Sequence, residues 1–126
     1  MKTYVAAAAA MLMGVALGAG AIERLHAQAK PPAYFFAEID VSDPEAYRTY
    51  VERNTSVVNQ YGGRFLARGG KTIAMDGEPP KRIVIIAWEN EDRAQAWYTS
   101  AGYKEITPIR DKAAKFRGFI VEGVRN

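Results

Sequence analysis

The chain has 126 residues, with 17 Lys and Arg against 14 Asp and Glu and a formal net charge of +3. It has no Cys, and its one His, His26, lies in a leader-like segment, so disulfides, zinc sites of the usual kind, Ser–His and Cys–His nucleophile pairs and His-ligated haem are excluded from the working domain. No run of basic residues marks a nucleic-acid footprint, and any chemistry falls to Asp, Glu, Tyr, Arg, Lys or the backbone.

The N-terminus reads MKTYVAAAAAMLMGVALGAGAIERLHAQAK. Lys2 precedes an apolar or glycine run over 5–22, and a short polar stretch closes on Ala27-Gln28-Ala29. Charge, apolar run and small-x-small site in that order describe a secretory signal peptide over 1–29, cleaved after Ala29. An uncleaved anchor is the alternative, since the run is near the ~18 residues that span a bilayer, but Ala and Gly give it little insertion energy. On the first reading residues 30–126 form one domain, periplasmic or secreted and free of the membrane. Loss of Lys2, Arg24 and Glu23 leaves it 15 basic and 13 acidic residues.

Lys30-Pro31-Pro32 is a stiff spacer. AYFFAEIDV (33–41) is rich in aromatic and β-branched residues and predicts a strand. Phe35, Ala37, Ile39 and Val41 share one face, and Tyr34, Phe36, Glu38 and Asp40 the other. SDPE (42–45) starts a helix, by Asp43 as cap with Pro44 behind it or by a Ser42–Glu45 capping box. Tyr47, Tyr50, Val51, Asn54, Val57 or Val58, and Tyr61 then recur at helical spacing, and Gly62-Gly63 ends the helix. RFLAR (64–68) predicts a second strand, continued by KTIAM (71–75) past a bend at Gly69-Gly70. DGEPP (76–80) is a turn, and RIVIIAWE (82–89) a third strand.

That third strand is apolar on both sides, with Ile83, Ile85 and Ala87 on one and Val84, Ile86 and Trp88 on the other. A second helix starts near Asn90, with Ala94, Trp97, Tyr98 and Ala101 inward and Gly102 interrupting it. Residues 103–116 predict helix in pieces, broken near Pro108, and RGFIVEGV (117–124) a fourth strand. The order β-α-β-β-α-β is the ferredoxin-like split arrangement, an α+β sandwich with helices over one face of a four-stranded antiparallel sheet. The other face, expected to carry Phe36, Val84, Ile86 and Trp88, needs a cover that the domain cannot supply. At ~25 cal/mol per Å² of apolar area, leaving it wet would forfeit several kcal/mol. A face-to-face homodimer is therefore expected.

Three stretches carry a family resemblance: Asp43-Pro44-Glu45-Ala46-Tyr47, Tyr61 through Gly70, and Trp97-Tyr98-Thr99-Ser100 through Tyr103 to Ile109-Arg110. Together they resemble the small bacterial proteins of the domain of unknown function 1330 family, over essentially all of 33–124. The resemblance implies a dimeric α+β barrel, in a superfamily that holds cofactor-less monooxygenases, haem-degrading and dye-peroxidase-like enzymes, lactone isomerases and proteins without known activity. Such a fold does not choose among these functions.

Arg68 ends a strand before two glycines. Its planar fork suits a carboxylate or phosphate, or it pairs with Glu38 or Glu122 and braces the sheet. Simple alternation puts Arg64, Leu66 and Arg68 on one face. Trp88, Trp97, Tyr98 and Tyr103, with Tyr50, would line a cavity for a small planar acid, or simply pack the core. The Tyr50 and Tyr103 hydroxyls need partners if buried. Arg110 closes a pocket or caps a helix end. Ser100 has no histidine to activate it and reads as a turn residue, and Glu38 and Asp40 read as salt-bridge partners rather than an acid–base pair. The ligand-binding candidates are thus Arg68, Arg110, Tyr50, Tyr103 and Trp88, with no metal and no cofactor expected. Three functions stay open: a binder of a small anionic or aromatic molecule, a cofactor-less oxygenase or isomerase, and a structural or interaction protein.

Overall fold

The structure, a computed structural model, describes residues 30–125; the leader read over 1–29 lies outside them. Four strands, β1 (Ala33–Val41), β2 (Arg64–Arg68), β3 (Ile83–Trp88) and β4 (Ala114–Glu122), alternate with α1 (Pro44–Gln60), α2 (Glu91–Tyr98) and α3 (Ala101–Ala113). The sheet runs β2-β3-β1-β4 with every neighbouring pair antiparallel. This is the ferredoxin-like α+β fold, its second helix divided in two.

Local chemistry sets the boundaries. Asp43 caps α1, its carboxylate accepting from Ala46 N (3.2 Å), with Pro44 at the first helical position. Ser42 instead donates from its hydroxyl to the Ala113 carbonyl (3.0 Å), tying the end of α3 to the start of α1. Beyond Tyr61, Gly62 takes φ +82°, a left-handed conformation that glycine adopts without a Cβ penalty. Gly63 is required by space, because a Cβ there would lie 2.6 Å from the Trp88 ring and 2.7 Å from Val58. Asn90 caps α2 through Arg93 N (3.0 Å), and Ser100 caps α3 through Tyr103 N (3.1 Å) while donating to the Trp97 carbonyl (2.7 Å).

Several expectations are corrected. The second helix breaks at Thr99-Ser100, not at Gly102, which sits inside α3 where a Cβ would press on Val57 at 3.3 Å. Its glycine serves the close approach of α3 to α1. Pro108 does not break α3 either. It removes one donor to the Lys104 carbonyl, and the Thr107 hydroxyl donates there instead (3.0 Å). β4 accordingly starts at Ala114, three residues before the expected position. KTIAM (71–75) is no strand: residues 69–82 form an exposed loop, with Ile73 74% and Met75 87% accessible.

The face assignment also changes. β1 pairs with β3 so that Ala33, Phe35 and Ala37 stand opposite Trp88, Ile86 and Val84. These six share the helix-covered face and are buried, as are Trp97, Tyr103, Ile106 and Val58. The uncovered face carries Tyr34, Phe36, Ile83, Ile85 and Ala87, with Phe119 and Val121 from β4. Phe36 and Phe119 stack there at 5.8 Å. Val84, Ile86 and Trp88 were expected on that side because a strand apolar throughout gives alternation nothing to choose by; the register with β1 decides it.

Candidate functional site

β2 contains one irregularity that decides where its arginines go. Arg64 pairs with Ala87 and Phe65 with Ile86, but Ala67 pairs with Ile85 and Arg68 with Val84, so one extra residue is accommodated between Phe65 and Ala67. A bulge of this kind reverses the alternation beyond it. Arg64 therefore stays on the uncovered face with Ala87, while Arg68 joins Phe65 on the helix side; the two do not share a face as simple alternation predicts. The Arg68 guanidinium lies 4.1 Å from the Phe65 ring centroid and donates to the Thr55 hydroxyl on α1 (2.9 Å). Glu38 pairs with Arg117 (3.6 Å) and Asp40 with Lys81 (3.2 Å), so neither braces Arg68.

Arg68 lines a cavity between α1 and the sheet. Its walls include Phe35, Phe65, Trp97 and Phe116, with Tyr47, Tyr50, Asn54 and Arg82 contributing polar groups. The clear space is about 20 Å³, enough for a water-sized body. A groove of about 390 Å³ lies outside it, bounded by Val41, Pro44, Arg48 and the shared residues Tyr47, Val51 and Arg82. Neither set of walls contains an Asp or Glu. Among the described residues no carboxylate pairs with Arg68 or Arg82, and the buried Arg82 Nε makes no hydrogen bond.

Behind the cavity wall runs a buried polar chain. Tyr50 and Tyr103 hydroxyls meet at 2.7 Å, where either can be the donor, and Arg110 Nη1 donates to the Tyr103 hydroxyl (3.0 Å). Arg110 also donates from Nε and Nη2 to Asp111 (3.0 and 2.9 Å) and lies 4.1 Å from the Phe116 ring centroid. Burial raises the pKa values of both phenols by disfavouring the phenolate; for Tyr50 the Tyr103 hydroxyl adds to the rise, and for Tyr103 the bonds to Tyr50 and Arg110 oppose it. At neutral pH both are hydroxyl donors, not bases. Tyr47 is also pushed up by burial, against the opposing charge of Arg82 and, more weakly, Arg110 and Arg68.

The structure thus brings Arg68 and Tyr50 to the cavity and sets Tyr103 and Arg110 directly behind Tyr50. It does not bring Trp88 there. That side chain is buried against Trp97 (5.2 Å) and Gly63, with its indole N–H unpartnered. Three cavity residues were missed from the sequence. Asn54 had a signal, a polar residue in an otherwise apolar helical stripe; its side-chain carbonyl accepts from Trp97 Nε1 (3.0 Å). Tyr47 lay in the same stripe. Arg82, a charge at the edge of an apolar strand, had none.

A ferredoxin-like sheet with an aromatic, arginine-bearing cavity under its first helix defines the class. The chain belongs to the family described as "Domain of unknown function (DUF1330)", which matches residues 32–124. No curated protein matches the sequence. Among solved structures, a protein of unknown function from Rhodopseudomonas palustris is 15% identical with a TM-score of 0.63, over 85% of this chain and 94% of that one. SnoaB, a cofactor-independent oxygenase from Streptomyces nogalater, is 13% identical with a TM-score of 0.55, over 76% and 96%. A dimeric ferredoxin-like protein of unknown function from Thermobifida fusca is 10% identical with a TM-score of 0.51, over 74% and 92%. At such identities the likeness is one of fold.

Proposed function

We propose that this chain works as an exported homodimeric α+β barrel that binds a small anionic or aromatic molecule between α1 and the sheet. The observation that carries the reading is the charge of the cavity and of the roomier groove outside it: the guanidinium groups of Arg68, Arg82 and Arg48, no carboxylate, and aromatic rings in the walls. A half-buried cation is ordinarily paired; Arg82 is half-buried with no carboxylate partner among the described residues, and the exposed Arg68 adds a second positive charge beside it, which together favour an anion from outside. The dimer is supported by the uncovered apolar face, where Phe119 and Val121 are nearly half accessible in the single chain. Export rests on the leader read from residues 1–29. Native mass spectrometry of protein recovered from the periplasm tests all three. A dimer of chains starting at Lys30, with extra mass lost on denaturation, is expected. A monomer with no added mass would overturn the reading.

A second reading, a cofactor-less oxygenase or isomerase, is favoured by the Tyr50–Tyr103–Arg110 chain. Fixed donors backed by a permanent charge stabilise an enolate or phenolate as it forms, and the substrate itself then supplies the reactive electrons. Oxygen uptake or isomerisation with a panel of quinols and enols tests it. Turnover that is unaffected by Tyr50→Phe would remove the chain from the mechanism.

A further inference from the structure

The space between α1 and the sheet is of two kinds. The inner cavity, about 20 Å³, admits nothing larger than a water-sized body. The groove outside it offers about 390 Å³, within the range of roughly 300–1,000 Å³ that small-molecule sites occupy. On this side of the sheet a ligand larger than water therefore lies in the groove, against Val41, Pro44, Tyr47, Arg48, Val51 and Arg82.

The polar side chains of this groove bring protons without acceptors. Tyr47 is 5% accessible. Burial raises its pKa, and the charge and hydrogen bond of Arg82 oppose the rise without cancelling it, so at neutral pH the group is an uncharged hydroxyl. A guanidinium only donates. The Tyr47 oxygen can therefore accept from Arg82, but the Tyr47 proton finds no acceptor among the described residues. Arg82 is half-buried, its guanidinium 5.1 Å from the Tyr47 ring centroid. Among its nitrogens only Nε is enclosed without a partner, beyond the reach of any ligand. Nη1 and Nη2 hold the remaining protons, and no carboxylate among the described residues takes them. Arg48, exposed on α1 next to Tyr47, brings a second guanidinium to the same groove, likewise without a carboxylate partner among the described residues. Donors of this kind call for a ligand that only accepts, and a carboxylate is one. The rest of the wall is Val41, Pro44, Val51 and the Tyr47 ring. That surface suits a compact hydrocarbon body and offers nothing to a second charge.

We propose, resting on the anion reading above, that Tyr47, Arg48 and Arg82 form a carboxylate clamp in this groove, which takes a small monocarboxylate with a compact apolar body. Tyr47 gives its proton to one carboxylate oxygen, and the Nη groups of Arg82 donate beside it. Arg48 closes the outer side, and the body lies over Val41, Pro44 and Val51.

The test is calorimetric titration of the purified protein at neutral pH with benzoate, with benzamide and with inorganic phosphate. The wild-type protein is expected to prefer benzoate to its neutral amide roughly tenfold, the scale of one hydrogen bond to a charged group. Tyr47→Phe, which keeps the ring and loses the proton, should cost about the same factor in benzoate affinity. Arg48→Gln should cost a few-fold at low salt and nothing at high salt, since an exposed charge is screened. Arg64→Gln removes the same charge from the opposite face of the sheet and should change nothing. If Tyr47→Phe binds benzoate as the wild type does, or if Arg64→Gln loses as much as Arg48→Gln, the clamp fails while the anion reading stands. Binding of phosphate without benzoate would likewise sink the carboxylate and leave an anion site. A wild type that takes none of these probes would overturn both.

Discussion

Arg110 and Arg82 both lay a guanidinium against an aromatic ring, 4.1 Å from the Phe116 centroid and 5.1 Å from that of Tyr47. The first has Nε, Nη1 and Nη2 all engaged, on Asp111 and the Tyr103 hydroxyl, and its residue is 8% accessible. The second has a buried Nε with nothing to donate to. The two positions differ in what the chain supplies. At the Arg110 end the sequence places an acid next door and a tyrosine one helical stripe away, so the charge is compensated from within. At the Arg82 end the two acids of β1 are committed elsewhere, Asp40 to Lys81 and Glu38 to Arg117. Arginine alone therefore says little about recognition; an arginine whose donors the fold leaves unfilled says more.

Breaking the filled end should cost most. Trp97 is fully buried, touches Phe35, Trp88 and Tyr103, and donates to Asn54. Trp97→Ala should lose about 3–5 kcal/mol of stability in urea unfolding, from the cavity left and the orphaned Asn54 carbonyl. Arg110→Met should lose less, roughly 2–3 kcal/mol: Tyr103 and Tyr50 keep each other, and the exposed Asp111 returns to water. A loss below about 0.5 kcal/mol for Arg110→Met would show that the filled fork contributes nothing to the fold, and the contrast with Arg82 would collapse.

The division between the two ends was only partly legible in the sequence. The strand and helix order was, because caps such as Asp43-Pro44 and Asn90 act locally and the apolar stripe of α1 repeats at helical spacing. The family resemblance carried by the stretches from Asp43 to Arg110 agrees with the match over 32–124. Tyr50 and Tyr103 were singled out as hydroxyls that need partners when buried, and Arg68 and Arg110 as guanidinium groups that could meet a ligand. What was not legible depends on register. Whether Val84 or Ile85 faces the helices follows from pairing with β1, and whether Arg68 faces the cavity follows from an extra residue between Phe65 and Ala67. Neither leaves a mark in alternating hydrophobicity. Arg82 was missed for the same reason, since its meaning lies in contacts with Gly69 and Tyr47, residues 13 and 35 positions away. Thr107's replacement of the donor lost at Pro108 is a side-chain compensation that a helix-breaking rule does not contain.

Alkaline pH sharpens the comparison from the filled side. Burial raises the pKa values of Tyr50 and Tyr103 above the ordinary 10.0. In the unfolded chain these phenols release their protons near pH 10, while the native protein retains them. The unfolded state then binds fewer protons, so stability is intact below pH 10 and falls as pH rises through and above it. Urea unfolding followed between pH 9 and 11 should show this decline, and Tyr50→Phe should make it shallower. An equal slope in the variant would mean that Tyr50 titrates in the folded state as it does in the unfolded one.

The smallest effects on stability belong at the open end. Gly69→Ala should cost about 1–2 kcal/mol, from a left-handed backbone forced on an alanine, and should also shift Arg82, whose guanidinium occupies the place of the new methyl. Arg68→Gln and Arg82→Gln should each change urea stability by no more than about 0.5 kcal/mol. Neither breaks an ion pair found among the described residues, and each relieves repulsion between cations lining one cavity. If either variant instead loses stability on the scale of Arg110→Met, the fold has been using that guanidinium after all. The absence of a carboxylate would then describe a structural contact to rings and hydroxyls, not a site waiting for an anion.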